Sequence, residues 1–293
     1  MVRELEVKKL TTASGLTFDA WIEGPADGPL VILLHGYPQS RHTWRAQLPA
    51  LAAAGYRAVA PDQRGYSPEA RPDPADLANY HYDRLIGDVI ELAAACGRGD
   101  SRLHLVGHDW GGQVAWGVAD RHPDRLASLT ILSRPHPSAF VRALEAADGD
   151  QKHRSRHHRA FLNPDTGRML LEDSARRLRR NLSEAGVPDD AVASYVAVLG
   201  NASAMEAALA WYRSQAGLRA SLGRIAVPTL YLWGDADATV GRLAAAGTAE
   251  FVSAPYRFEV LPGVGHFITD QAAEQVNALL LAHLAAHPIA AGK

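Results

Sequence analysis

Residues 102–119 read RLHLVGHDWGGQVAWGVA. An apolar, strand-like run up to Val106 meets a residue bracketed by glycines and then an amphipathic helical pattern. That is the grammar of a nucleophile elbow, with Asp109 standing where serine is usual. Gly107 and Gly111 fall where a sharp strand-to-helix turn brings backbones too close for side chains, and the turn lifts residue 109 clear of the sheet. The helix that begins there aims its amide N–H groups at the carboxylate, so Asp109 is expected to be an anion at neutral pH. The competing role for this aspartate is a plain helix N-cap.

Outward from the elbow, PLVILLHG and YRAVAPD are continuous apolar runs, as expected of strands covered on both faces of a parallel sheet. Helical patterns near residues 43–54 and 80–96 separate them, which predicts α/β architecture. LEVKKL and LTFDAWIE alternate like antiparallel strands joined at Ser14-Gly15. From about Pro135 to Leu222 no strand is predicted, and DSARRLRRNLSEAG and DDAVASYVAVLGNASAMEAALAWYRSQ read as helices. Strands resume at VPTLYLWGD and YRFEVLP, and an amphipathic helix closes the chain. The expected organisation is a core of residues 1–134 and 223–293 with a helical cap, 135–222, over the carboxyl edge of a doubly wound, mostly parallel eight-stranded sheet.

The 293 residues are 47% apolar and 21% charged, with a net charge of −2, an ordinary globular balance that gives no reason to expect nucleic acid or an anionic membrane as partner. A single cysteine, Cys96, excludes an internal disulfide framework. The opening residues lack the apolar core of a signal peptide, and no run approaches a membrane span, so a cytoplasmic protein is expected. The thirteen histidines form no metal-ligand spacing, and neither metal nor cofactor is expected. The expected partner is a small-molecule substrate, with a homodimer left open.

Two later loops supply chemistry. YLWGDADATV ends a strand with Asp235 and Asp237, and LPGVGHFITD places His266 at the mouth of a strand-to-helix loop. Asp237 is the expected acid because it closes a Gly-x-x-Asp pattern from Gly234; Asp235 is expected to serve the turn.

HGYP (35–38), DQRGYS (62–67), GHDWGG (107–112), WGDAD (233–237) and GVGH (263–266) stand in the order and at the spacings of the α/β-hydrolase superfamily, which the chain resembles over nearly its whole length. The aspartate elbow resembles the branch of epoxide hydrolases and haloalkane dehalogenases. The resemblance implies a triad of Asp109, Asp237 and His266, with an oxyanion hole from the backbone N–H groups of Tyr37 and Trp110. It also implies that Pro38 can be cis and that His35 and Arg64 brace loops. An ionised aspartate suits attack on saturated carbon, giving an alkyl ester that His266 then hydrolyses with water.

The leaving group has to be met from the cap. ALAWYRSQ resembles the epoxide hydrolase segment that carries a ring-opening tyrosine, which places that role on Tyr212. A second such tyrosine falls where this chain has His157; the competing reading puts His153, His157 and His158 on a basic, solvent-facing helix. The expected activity is epoxide hydrolysis. The alternatives are a haloalkane or haloacid dehalogenase using the same aspartate, against which Tyr37 and Trp110 occupy positions that prefer asparagine and arginine, and a non-hydrolytic binder of the same fold.

Overall fold

In the computed structural model, which describes residues 5–215 and 222–289, eight strands follow one another as β1 (Val7–Thr11), β2 (Thr17–Glu23), β3 (Leu30–Leu34), β4 (Arg57–Pro61), β5 (Leu103–His108), β6 (Leu126–Leu132), β7 (Thr229–Gly234) and β8 (Tyr256–Leu261). They form one sheet in the order β1-β2-β4-β3-β5-β6-β7-β8. β1 and β2 form the antiparallel hairpin expected around Ser14-Gly15, and β2 also runs antiparallel to β4. Every other pairing is parallel.

The continuous apolar runs have their predicted cause. β3, β5, β6 and β7 are buried at every position. Alternate residues serve opposite faces: Val31, Leu33, Leu230 and Leu232 pack in one core layer, and Ile32, Leu34, Tyr231 and Trp233 in the other. The first layer is closed by α1 (Gln47–Ala53), and the second by α2 (Tyr82–Ala95) and α3 (Trp110–Arg121). Helices on both faces make the sheet doubly wound.

Between β6 and β7 the chain leaves the sheet for α4 (Pro137–Leu144), α5 (Asp150–Arg154), α6 (Arg156–Phe161), α7 (Thr166–Glu184), α8 (Asp189–Leu199) and α9 (Ala202–Ser214). α7 is broken at Glu172–Ala175, where three consecutive residues take positive φ, so the expected helix at DSARRLRRNLSEAG begins with a kink. Asn201 caps α9 by accepting from Ala204 N–H at 2.9 Å. α10 (Arg242–Gly247) lies between β7 and β8, and α11 (Ile268–Gln271) and α12 (Ala273–Ala286) follow β8, the last packing with α1. Among the described residues no single helix is long and apolar enough to cross a membrane.

Polar contacts fix the inserted helices to the sheet loops. Arg154 donates to Asp237 O at 2.6 Å, Gln151 donates to Thr239 O at 2.8 Å, and Trp211 donates to Arg64 O at 3.0 Å. Arg64 is itself held by a bidentate, buried pair with Asp88, in keeping with its expected structural role.

The order of strands places the site. β3 is followed by β4 on one side and β5 lies on the other, so the sheet reverses direction between β3 and β5 and opens a crevice at their carboxyl ends. Tyr37 follows β3 and Asp109 follows β5.

Candidate active site

Asp109 adopts φ 49° and ψ −116°, a backbone conformation that side chains rarely take and that costs about 1–3 kcal/mol. The flanking glycines permit it. A Cβ on Gly107 would overlap the Gly111 carbonyl, one on Gly111 would overlap that of Leu34, and one on Gly36 would strike Asp109 itself. The Asp109 side chain does not cap α3. Its Oδ1 accepts the Tyr37 N–H at 3.0 Å. Of the two backbone donors expected, Tyr37 therefore meets the carboxylate, whereas Trp110 N–H makes no hydrogen bond to it among the described residues. The Tyr37-Pro38 peptide is cis. His35 is fully buried and neutral, its pKa pushed down to about 4 by burial, and it accepts from Gln63 N–H at 3.1 Å.

His266 lies between two carboxylates. Its Nδ1 is 2.8 Å from Asp237 Oδ2, and its Nε2 is 3.6 Å from Asp109 Oδ2. Asp237 is fully buried, and its other oxygen accepts Thr239 N–H at 2.7 Å, Thr239 Oγ1–H at 2.8 Å and Val240 N–H at 3.0 Å. Thr239 Oγ1 lies 2.8 Å from His266 Nδ1 as well. Because that hydroxyl donates to Asp237, it faces the imidazole as an acceptor. The His266 carbonyl takes His108 Nε2–H at 2.8 Å and Ser133 Oγ–H at 2.9 Å. Asp235 instead accepts from Gly263 N–H at 2.7 Å and holds the turn, as expected.

These neighbours set the charges. Burial disfavours the imidazolium, yet Asp237 and Asp109 outweigh it and raise the His266 pKa to about 10. Burial likewise opposes the two carboxylates, but His266 holds both below their ordinary range, helped at Asp237 by Thr239. The resting state is carboxylate, imidazolium, carboxylate.

A cavity of about 550 Å³ opens over Asp109, lined by Tyr37, His157, Phe161, Tyr212 and His266 among others. Tyr212 and His157 thus both reach it from the inserted helices. The Tyr212 ring lies 5.0 Å from that of Trp110 and 4.8 Å from that of Phe161, each edge to face. Burial first, and then the Asp109 charge, keep its hydroxyl protonated far above the ordinary range. His157 is half-buried, and burial lowers its pKa. Its Nδ1 lies 3.1 Å from Arg154 O, so Nδ1–H donates there and a neutral ring keeps only an acceptor at Nε2. His158 is also half-buried and neutral, its pKa pushed down to about 3 by burial and by His157, while His153 is exposed. The basic-helix reading therefore fits His153 but neither of its two neighbours.

Thr239, Ser133 and Arg134 were not singled out in the sequence, and His158 only as part of a basic, solvent-facing helix. Ser133 and Arg134 directly follow β6, and that position at a carboxyl strand end was the available signal. Thr239, two residues past Asp237, was legible as a local side-chain-to-backbone turn but not as a partner of His266.

Residues 29–273 match the family model described as the alpha/beta hydrolase fold. Epoxide hydrolase 3 of Xenopus tropicalis is 32% identical over 91% of this chain and 74% of its own length. Epoxide hydrolase A of Mycobacterium tuberculosis is 30% identical over 94% of this chain and 97% of its own. A solved structure described among novel epoxide hydrolases from hot-environment metagenomes superposes with a TM-score of 0.83 at 30% identity, covering 97% of this chain and 100% of that one.

Proposed function

The chain belongs to the α/β-hydrolase fold family and is a hydrolase resembling epoxide hydrolases, and from that premise we propose that it opens an epoxide to a diol through an ester on Asp109. The helices between β6 and β7 act in this reading as a cap over residues 1–134 and 223–293. The observation that carries it is one cavity holding an ionised carboxylate, an imidazole backed by a second carboxylate, and a neutral tyrosine hydroxyl.

Asp109 Oδ2, the oxygen not engaged by Tyr37, forms a bond to an epoxide carbon as the ring C–O bond breaks. The departing oxygen takes the Tyr212 proton. Esterification removes the Asp109 charge that helped to hold the His266 proton, so the imidazolium becomes a stronger acid and its proton restores Tyr212. Neutral His266, kept in place by Asp237 and Thr239, then takes a proton from water as the hydroxide attacks Cγ of the ester. The oxyanion forms on Oδ1, where Tyr37 N–H already donates, a contribution of about 3 kcal/mol in comparable sites. Collapse expels the diol oxygen, the proton left on the new carboxyl passes to it, and carboxylate and imidazolium are restored.

An epoxide oxygen needs this proton and a halide does not. The neutral His157 and His158 offer a halide no cation, so the dehalogenase alternative gains no support from them. The test is turnover in heavy-oxygen water. Repeated cycles should place the label in the Asp109 carboxylate, read by mass spectrometry of its peptide; diol formation with an unlabelled Asp109 would sink the covalent route.

A further inference from the structure

Beside the cavity over Asp109 lies a second of about 830 Å³, and the two share Arg134, Phe140, Arg156, His158 and Tyr212. Asp109 does not line the larger one.

Arg134 is the residue of interest. Its Nε–H and Nη2–H both donate to Gln113 Oε1, at 2.9 and 2.8 Å. The guanidinium carbon sits 4.7 Å from the Phe140 ring centroid and 5.9 Å from that of Trp110, so the group is fixed in plane and position. A guanidinium has five N–H groups, and the Gln113 brace uses two along one edge. The Nη1–Nη2 end keeps three. No carboxylate pairs with Arg134 among the described residues, and its one side-chain hydrogen-bond partner is a neutral amide. Asp109 feels the charge of Arg134 across the cavity, but among the described residues no carboxylate touches the guanidinium, and its free N–H groups leave a place for an anionic group.

The rim of the larger cavity points the same way. Lys152, Arg156 and Arg159 are exposed on it, and none is paired with an acid among the described residues. The acid on that wall is Glu145, which has an interaction of its own. Four permanent cations against one carboxylate stand out in a chain of net charge −2, and a cleft so lined concentrates anions. Phe140, Val141, Leu144 and Leu162 supply an apolar wall for an organic body. Trp110 bridges the two regions, with Arg134 over its ring and Tyr212 against its edge. The Arg134 guanidinium carbon lies 5.9 Å and the Tyr212 ring 5.0 Å from the Trp110 ring, so one indole adjoins both groups.

We propose that Arg134 is the specificity-determining anchor for a carboxylate carried a few bonds from the epoxide, and that this chain acts on such anionic epoxides in preference to neutral ones. The proposal rests on the epoxide reading above. A planar carboxylate fits the free guanidinium end in bidentate fashion, which a point cation would not reproduce.

The test compares 4-(oxiran-2-yl)benzoate, whose carboxylate stands a few bonds from the oxirane, with its carboxamide on wild type, Arg134→Gln and Arg134→Lys. Wild type should favour the carboxylate in kcat/KM by about ten- to a hundredfold, the range for charge-assisted hydrogen bonds. That ratio should approach unity in R134Q and recover in part in R134K. A ratio unchanged while both substrates slow equally would overturn the proposal, leaving Arg134 as a brace for Gln113 and Trp110. Should R134Q not fold, R134K and the loss of wild-type preference on raising salt carry the same comparison. Titration of 4-ethylbenzoate, which has no epoxide, against tryptophan fluorescence separates the two readings. Arg134-dependent binding without turnover of any epoxide upholds the subsite and removes the epoxide reading; epoxide turnover with no carboxylate binding does the reverse.

Discussion

His266 stands 2.8 Å from Asp237 at Nδ1 but 3.6 Å from Asp109 at Nε2. The imidazole is tied to one carboxylate and only faces the other, so the near partner orients it and the far one stays free to react. Replacing His266 with glutamine should leave Asp109 able to attack and unable to be released. Incubation with an epoxide should then add the full substrate mass to the Asp109 peptide, while the wild type under the same conditions shows little adduct. Substrate consumed by H266Q with no adduct would contradict the assignment.

Asp237 and Thr239 should separate by magnitude. D237N replaces the acceptor of the Nδ1 proton and should lower turnover by about 10⁴, as loss of the orienting acid does in comparable triads. T239V leaves Asp237 Oδ1 with two backbone donors, so its cost to stability should be about 1 kcal/mol. Steady-state kinetics with thermal melts on both variants checks this. Equal losses in the two would mean that Thr239 does more than support the acid.

How much of this was legible depended on what carried each residue. The elbow and the two later loops sit at strand ends, where a single short motif fixes both backbone and side chain; accordingly Asp109, Asp237 and His266 could be named from spacing. The partners in the inserted helices could not. Whether His158 faces solvent or Tyr212 depends on the phase of a six-residue helix, too short to show a periodicity. Arg134 joins Gln113 and Phe140 from three separate elements, a meeting that only the folded chain creates.

The elbow should tolerate no added methyl group. A Cβ at Gly111 meets the Leu34 and His35 carbonyl oxygens, backbone atoms of β3 and its loop that cannot swing away. G111A should lose about 3 kcal/mol or more of stability, measured by denaturant unfolding. Gly97, whose added Cβ would meet nothing, is a poor control because of its positive φ; Gly87, with open space and no such φ, is the better one, and G87A should be near neutral or stabilising.

Two pH trends follow from His266. Its pKa is raised from 6.5 to about 10, so its charge contributes stability that is complete below pH 6.5 and lost as pH rises toward 10. The stability gap between wild type and H266Q should therefore narrow over that interval. In single-turnover experiments, ester formation should be flat from pH 6 to 9 because Asp109 stays ionised. Ester hydrolysis should rise with pH, with a midpoint below 10 because the Asp109 charge is then gone. A midpoint at or above 10 would show that esterification does not release the imidazolium proton.

Tyr212 and His157 both line the cavity, but their chemistry is unequal. Tyr212 holds a neutral O–H, whereas His157 has committed its Nδ1–H to Arg154 O. Y212F should therefore cut kcat/KM for an epoxide by about a hundredfold or more, within the range for loss of a general acid. H157Q should cost much less. An alkyl bromide offered to the same variants needs no proton, so Y212F should leave any bromide release within a few-fold of wild type. Equal losses on epoxide and bromide would assign Tyr212 to packing beside Trp110 and Phe161; a larger loss in H157Q than in Y212F would move the proton donor to the histidine.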